Sequence, residues 1–226
     1  MTSASVSFTE ELRSAAGEQW ERVVGHKFTI ELAKGEIDRN VLKKYLIQDH
    51  RFLDAFVVLL ASSIAKARTL EDRIPGCQFI ALITGKENTY FERSFEVLGC
   101  SDVKERMKVP DEAVTRKFVN LMRDVAIGGT LGEMLSVLVV AEWSYLSWGE
   151  KVLSFTNRDV DFTTWEWVDL HSGEYFSQVV SYLRSLLDKE GTLIDEDGRT
   201  KCKNAFCYAV QLEEEFFDMA YALRDT

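Results

Sequence analysis

Proline is scarce in this chain, with only Pro75 and Pro110 among 226 residues. Proline breaks helix interiors, so its near-absence permits long helices. No stretch alternates apolar and polar residues with period two for long enough to demand a sheet. Cysteine is also sparse: Cys77, Cys100, Cys202 and Cys207, none of them in a CxxC pair. Met1 to Phe8 is polar, with no basic start leading into an apolar run, so no signal peptide is expected. Free thiols in a reducing compartment are then expected rather than a disulfide framework, with the cytosol as location. No window approaches the roughly 18 uncharged apolar residues that a bilayer span requires, so no membrane partner is expected. Net positive charge is lacking too: the formal net charge is −10. That argues against a nucleic-acid surface, which shows a basic patch or stripe. No P-loop, GxSxG or GxGxxG stands in a supporting context, and Gly128-Gly129-Thr130 reads as a turn and cap.

What is present reads as helix. Hydrophobic residues make up 46 % and charged residues 28 % of the chain, ordinary for a globular protein. The length suits one domain, residues 1–226, with a sizeable core. Phe8 to Val24 reads as a helix with Thr9 as N-cap. Lys27 to Lys34 reads as a short helix stopped by Gly35. Asp38 to about Lys66 is the first long helix, with Asp38 as its cap. Pro75 opens a helix running to about Leu98, and Pro110 opens another that ends near Gly128-Gly129. Thr130 and Glu133 form a T-x-x-E capping box that starts the next. Phe162 to Leu187 is helical with a break near Ser172-Gly173, and Asp188 to Gly198 is a charged turn. The last helix runs to about Leu223. The fold class is an all-α bundle.

Three acids interrupt apolar helix faces. A helix advances about 100° per residue, which places Leu42, Tyr45, Leu46, Phe52, Leu53 and Phe56 around Asp49. Leu135, Leu138, Val139, Tyr145 and Leu146 surround Glu142. Phe206, Val210, Phe216, Phe217 and Ala220 surround Glu213. Carboxylates are almost never fully buried unless paired, and an isolated buried charge neutralises or finds a partner. One such acid could pair with an arginine or cap a neighbouring helix. Three, with few basic residues on the same faces, point to a shared internal pocket. Desolvation there raises carboxyl pKa values and lets carboxyls divide acid and base roles.

Carboxylate-rich bundles include di-iron proteins, which need two Glu-x-x-His pairs. The residues three before His26, His50 and His171 are Val23, Ile47 and Val168, so no such pair exists and no metal is expected. Haem would take His26 as axial ligand, but a lone histidine near a helix end reads more simply as structural. Aromatic residues flank the acids. Most belong to the core, and a few lining a pocket would stack on a flat heterocycle while an acid accepts its N–H groups.

The same segments resemble the TenA/THI-4 family of thiamin-salvage proteins. Lys43-Lys44-Tyr45-Leu46-Ile47-Gln48-Asp49 is similar to the family's K-Y-x-x-Q-D segment. Ala141-Glu142-Trp143-Ser144-Tyr145, continuing to Gly149-Glu150-Lys151, is similar to its central catalytic helix. Glu213-Glu214-Glu215-Phe216-Phe217-Asp218-Met219-Ala220-Tyr221 is similar to its C-terminal E-x-x-F-x-x-M-A-Y signature. The resemblance implies a haem-oxygenase-like helical fold, a homo-oligomer (dimer or tetramer), no cofactor, and hydrolysis of aminopyrimidines from degraded thiamin. Asp49 then matches the aspartate that grips the pyrimidine, Tyr145 a pocket tyrosine, and Glu213 the glutamate handling protons at the leaving amine.

The family's nucleophilic cysteine falls at Ala141, so the chain resembles a cysteine-lacking branch typed by a glutamate and known from plants among others. Glu142 is the candidate for that glutamate. Phe118 and His171 stand where the cysteine branch has pocket tyrosines. The implied activities are removal of the formyl group from N-formyl-4-amino-5-aminomethyl-2-methylpyrimidine and hydrolysis of the free amine to the hydroxymethyl compound. Glu142 is expected as general base on a water and Glu213 as proton donor. Asp49, Phe52, Tyr145 and His171 are expected to bind and position the substrate. The alternative is a protein of the same fold that binds the pyrimidine without chemistry.

Overall fold

The structure is a computed structural model and describes residues 6–222. Among the described residues there are twelve α-helices, one π-helical segment and no strand. They are α1 (Phe8–Ala16), α2 (Glu18–Val24), α3 (Lys27–Lys34), α4 (Arg39–Lys66) and α5 (Leu70–Leu82). The π segment Ile83–Glu87 leads directly into α6 (Asn88–Val97), followed by α7 (Val103–Lys108) and α8 (Ala113–Gly128). Then come α9 (Leu131–Leu153), α10 (Phe162–Leu170), α11 (Gly173–Gly191) and α12 (Glu196–Tyr221).

Helix α9 is the axis of the molecule. Thr130 accepts from the Glu133 N–H while Glu133 accepts from the Thr130 N–H at 2.9 Å, the reciprocal box that the sequence spells. Behind that cap nearly every residue is apolar or small, and 16 of its 23 residues are buried. A helix buried on all sides must be surrounded by others. Here α4, α11 and α12 pack along it, with α2, α3, α8 and α10 filling the remaining sides. Asp38 caps α4 by accepting from the Asn40 and Val41 N–H groups. Gln48, fully buried in α4, straps that helix to the start of α8. It donates to the Pro110 carbonyl at 3.0 Å and accepts from the Glu112 N–H and the Thr115 hydroxyl.

Several expected boundaries are corrected. The first helix is two, because Gly17 takes a left-handed φ of 55° between α1 and α2. Ser7, not Thr9, caps α1, and Thr9 is buried with its N–H on Asp188 at 2.7 Å. Helix α5 begins at Leu70 under a Thr69 cap, so Pro75 lies inside it and does not open it. The expected run to Leu98 is broken by the π segment, and the chain from Val103 to Lys108 forms a helix of its own. Pro110 lies before α8 and presents its carbonyl to Gln48. Gly173, with φ of 80°, makes the break after α10. Most of the supposed charged turn is helix, since α11 runs to Gly191 and α12 starts at Glu196. Its charges are held: Glu190 accepts from Arg68 at 2.7 Å. Leu223 and residues 1–5 lie outside the described residues.

Candidate active site

A narrow cavity opens between α4, the π segment, α9 and the end of α10. Its polar lining is Asp49, Glu87, Glu142, Tyr145 and His171, and its apolar lining is Phe52, Leu53, Phe56, Ile83, Ala141 and Trp167. Asp49, Phe52, Leu53 and Phe56 recur at helical spacing on α4, and Ala141, Glu142 and Tyr145 share one face of α9. Two uninterrupted helices therefore fix most of the constellation.

Five of the six residues singled out in the sequence line this cavity: Asp49, Phe52, Glu142, Tyr145 and His171. Glu213 does not. It is 2 % exposed, on α12 beside Phe216 and Phe217, and its Oε1 has no hydrogen-bond partner among the described residues. Phe118 also stands behind the wall, its ring packed edge-on against Phe52 at 4.8 Å. The Tyr145 hydroxyl meets that of Tyr45 at 2.6 Å, linking the cavity wall to the buried core of α4.

The electrostatics are one-sided, since among the described residues no lysine or arginine lines the cavity. Burial raises Asp49 well above the ordinary carboxyl range, the Glu87 charge adds to this, and the Tyr45 hydroxyl opposes it. Burial likewise raises Glu142 well above its ordinary value, followed by the charges of Glu87, Glu213 and Asp49. Glu213 is raised by burial and then by Asp49. Burial pushes Glu87 up to about 8. Carboxyls so arranged cannot all ionise at once and hold protons between them at neutral pH. His171 caps the end of α10 with its ring 4.2 Å from that of Trp167. Burial pushes it down to about 4, so the ring is neutral, with Nδ1 donating to the Trp167 carbonyl at 2.8 Å and Nε2 left as an acceptor.

Glu87 and Trp167 are lining residues that the sequence reading missed. The test that found the other acids would have found Glu87. Ile80, Ile83, Tyr90 and Phe91 lie at −7, −4, +3 and +4 from it, one helical face. The polar run Thr84-Gly85-Lys86 around it hid the pattern.

His26, the haem candidate, is occupied as a cap. Its Nδ1 accepts from the Phe28 N–H at 3.1 Å, so Nε2 carries the proton and faces Asp218 at 3.3 Å. Among the described residues no group of three or more His, Cys, Asp or Glu is arranged to hold a metal ion. Nor is any described helix long and apolar enough to cross a membrane.

Comparison with known proteins agrees with this architecture. An aminopyrimidine aminohydrolase of Bacillus subtilis is 26 % identical over 216 residues, covering 96 % of this chain and 90 % of its own length. An aminopyrimidine aminohydrolase of Halalkalibacterium halodurans is 24 % identical, covering 96 % of both chains. The crystal structure of a TenA homologue from Pyrococcus furiosus superposes with a TM-score of 0.84 at 24 % identity, over 95 % of this chain and 100 % of that one. A TenA homologue from P. horikoshii superposes at 0.82 with 21 % identity, over 96 % and 99 % of the two chains. The fold is thus the all-α, haem-oxygenase-like fold of those homologues. The profile of the TENA/THI-4/PQQC family matches residues 13–223, and the chain belongs to that family.

Proposed function

We propose that this protein hydrolyses a C–N bond of a substituted aminopyrimidine in thiamin salvage, using a water activated by Glu142. The observation that carries the reading is one narrow cavity that has, among the described residues, aromatic walls, three carboxyls and no cation. Aromatic walls suit a flat heterocycle, and carboxyls suit its N–H donors and any basic side arm. The relatives named aminopyrimidine aminohydrolases support the same substrate class.

Asp49 orients the ring through hydrogen bonds to its amino group, and Phe52 lies against its face. Ala141, beside Glu142 on the cavity wall, has no nucleophilic atom, so attack falls to water. Glu142 takes the water proton when ionised. Glu213, buried behind the wall and holding its proton, is the reserve for the leaving nitrogen. Tyr145 and the free Nε2 of His171 position the water or the side arm.

A formamide carbon is a good electrophile for such a water, whereas an aminomethyl carbon is a poor one. Removal of the N-formyl group from N-formyl-4-amino-5-aminomethyl-2-methylpyrimidine is therefore at least as fast as ammonia release from the free amine. Steady-state formate and ammonia release by purified protein tests both statements. Ammonia release without deformylation sinks the ranking. Tight binding of either pyrimidine with neither product formed leaves a binding protein in place of an enzyme.

A further inference from the structure

Glu87 is the one cavity carboxyl to which the proposed hydrolysis gives no task, and the fold does not need it. It makes no hydrogen bond and no ion pair with any described residue. It is half-buried, while Thr84, Gly85 and Lys86 beside it are exposed, so Ile83 and Glu87 alone bring the π segment to the cavity. A π turn inserts an extra residue into a helix, and such turns are rare and frequent at functional sites. Here the segment turns an acid into a site that already holds Asp49 and Glu142.

We propose that Glu87 acts as a neutral carboxylic acid, donating a hydrogen bond to the formyl oxygen as it gains charge, and that it makes the site selective for the N-formyl pyrimidine over the free amine. The proposal rests on the aminopyrimidine-hydrolase reading. The water oxygen bonds to the formyl carbon while Glu142 takes a water proton, and the carbonyl electron pair moves onto the oxygen. The Glu87 O–H holds that oxyanion and keeps its proton. Collapse re-forms the C=O bond and breaks the C–N bond. The nitrogen leaves with the proton that Glu142 took from the water. The products are formic acid and the primary amine. An ammonium arm offers only N–H donors, so a neutral acid opposite it gives no comparable gain.

The surroundings keep Glu87 in the acid form at neutral pH. The titratable groups lining the cavity with it are Asp49 of α4, Glu142 and Tyr145 of α9, and His171 at the end of α10. None of them supplies a positive charge. Lys86, its chain neighbour, lines a different surface hollow with Asp169, and His50 and Asp54 of α4 line the outer hollow beyond Leu53 and Ile83. Burial holds the Glu87 carboxyl up at about 8. A neutral Glu87 also relieves Glu142 of the largest charge opposing its ionisation.

The test compares wild type, Glu87→Gln and Glu87→Ala on both pyrimidines from about pH 6 to 9.5. Wild-type kcat/KM for the formyl substrate is expected to fall above about pH 8, as the donor loses its proton. Glu87→Gln keeps an N–H donor, so it should stay within about tenfold and lose that alkaline fall. Glu87→Ala should lose roughly 10²–10³-fold on the formyl substrate, the scale of one oxyanion donor, and under about tenfold on the free amine. Equal losses on both substrates overturn the proposal, as does a Gln variant that keeps the alkaline fall. The protonated-carboxyl infrared band at pH 7, taken as wild type minus Glu87→Gln, must be present, and its absence overturns the proposal whatever the rates. Wild type that turns over neither pyrimidine removes the parent reading and this one with it. Wild-type turnover untouched by Glu87→Ala removes this one alone.

Discussion

The hydroxyls of Tyr45 and Tyr145 meet at 2.6 Å in the interior, joining α4 to α9 beneath the cavity. One hydroxyl must donate and the other accept, and the Tyr45 hydroxyl also interacts with Asp49, whereas that of Tyr145 depends on Tyr45. Burial raises both phenols well above their ordinary values, which keeps each O–H intact. Tyr45→Phe strands the Tyr145 hydroxyl and should cost about 1–3 kcal/mol, and Tyr145→Phe, which leaves the Tyr45 hydroxyl its interaction with Asp49, should cost less. Replacing both removes the stranded group and should cost clearly less than the sum. A denaturation double-mutant cycle measures this, and strictly additive costs would show that the two hydroxyls are uncoupled.

Glu142→Gln keeps the size and shape of the side chain and removes the base. Turnover on either pyrimidine should fall about 10²–10⁴-fold, with the helical circular-dichroism signal unchanged. A variant that keeps most of its activity would place the base elsewhere among the cavity carboxyls.

Gly149 lies on α9 where that helix runs against the end of α10. A Cβ there would sit 2.2 Å from the His171 carbonyl oxygen and 2.9 Å from its carbonyl carbon. Alanine in a helix interior ordinarily gains about 0.5–1 kcal/mol over glycine. Backbone contact this close reverses the sign, and overpacking costs about 1–3 kcal/mol. Gly149→Ala should therefore lower the Tm and, by displacing His171, raise KM for the pyrimidine. An unchanged or raised Tm would mean that the α9–α10 contact yields freely.

The sequence made legible whatever depends on local chemistry or on phase along an unbroken helix. Thr130 and Glu133 announced the start of α9 because a capping box is closed by residues three apart. Asp49 and Glu142 could be placed among apolar neighbours because α4 and α9 run without interruption. Phase stops at burial, however. It put Glu213 inside, but one apolar face serves both core and cavity, and only packing decides that Glu213 stands behind the wall. The breaks were less legible, because tertiary contacts outweigh propensity there. Pro75 is tolerated inside α5, where Gly76 lets Ile64 come so close that a Cβ would meet it at 2.7 Å. Glu87 was missed because Thr84, Gly85 and Lys86 before it read as a surface and masked its apolar neighbours Ile83, Tyr90 and Phe91.

The pH dependence of stability is set by the direction in which the cavity acids are shifted. A carboxyl whose folded pKa lies above its unfolded value binds more protons in the folded state. Its stabilising contribution is complete below the unfolded pKa and is lost as pH rises through the folded one. For Glu87 that window runs from the ordinary glutamate value, about 4.3, to about 8. Asp49, Glu142 and Glu213 are shifted in the same direction, so the wild-type Tm should decline as pH rises from about 5 to about 9. Glu87→Gln removes one contributor. Discounted for the partial solvent exposure of Glu87, it should gain about 1–2 kcal/mol, or some 2–8 °C in Tm, at pH 8.5 relative to its effect at pH 5. Calorimetric scans of both proteins at the two pH values measure that difference. A Gln variant whose Tm offset is the same at both would show that Glu87 titrates like a surface carboxylate.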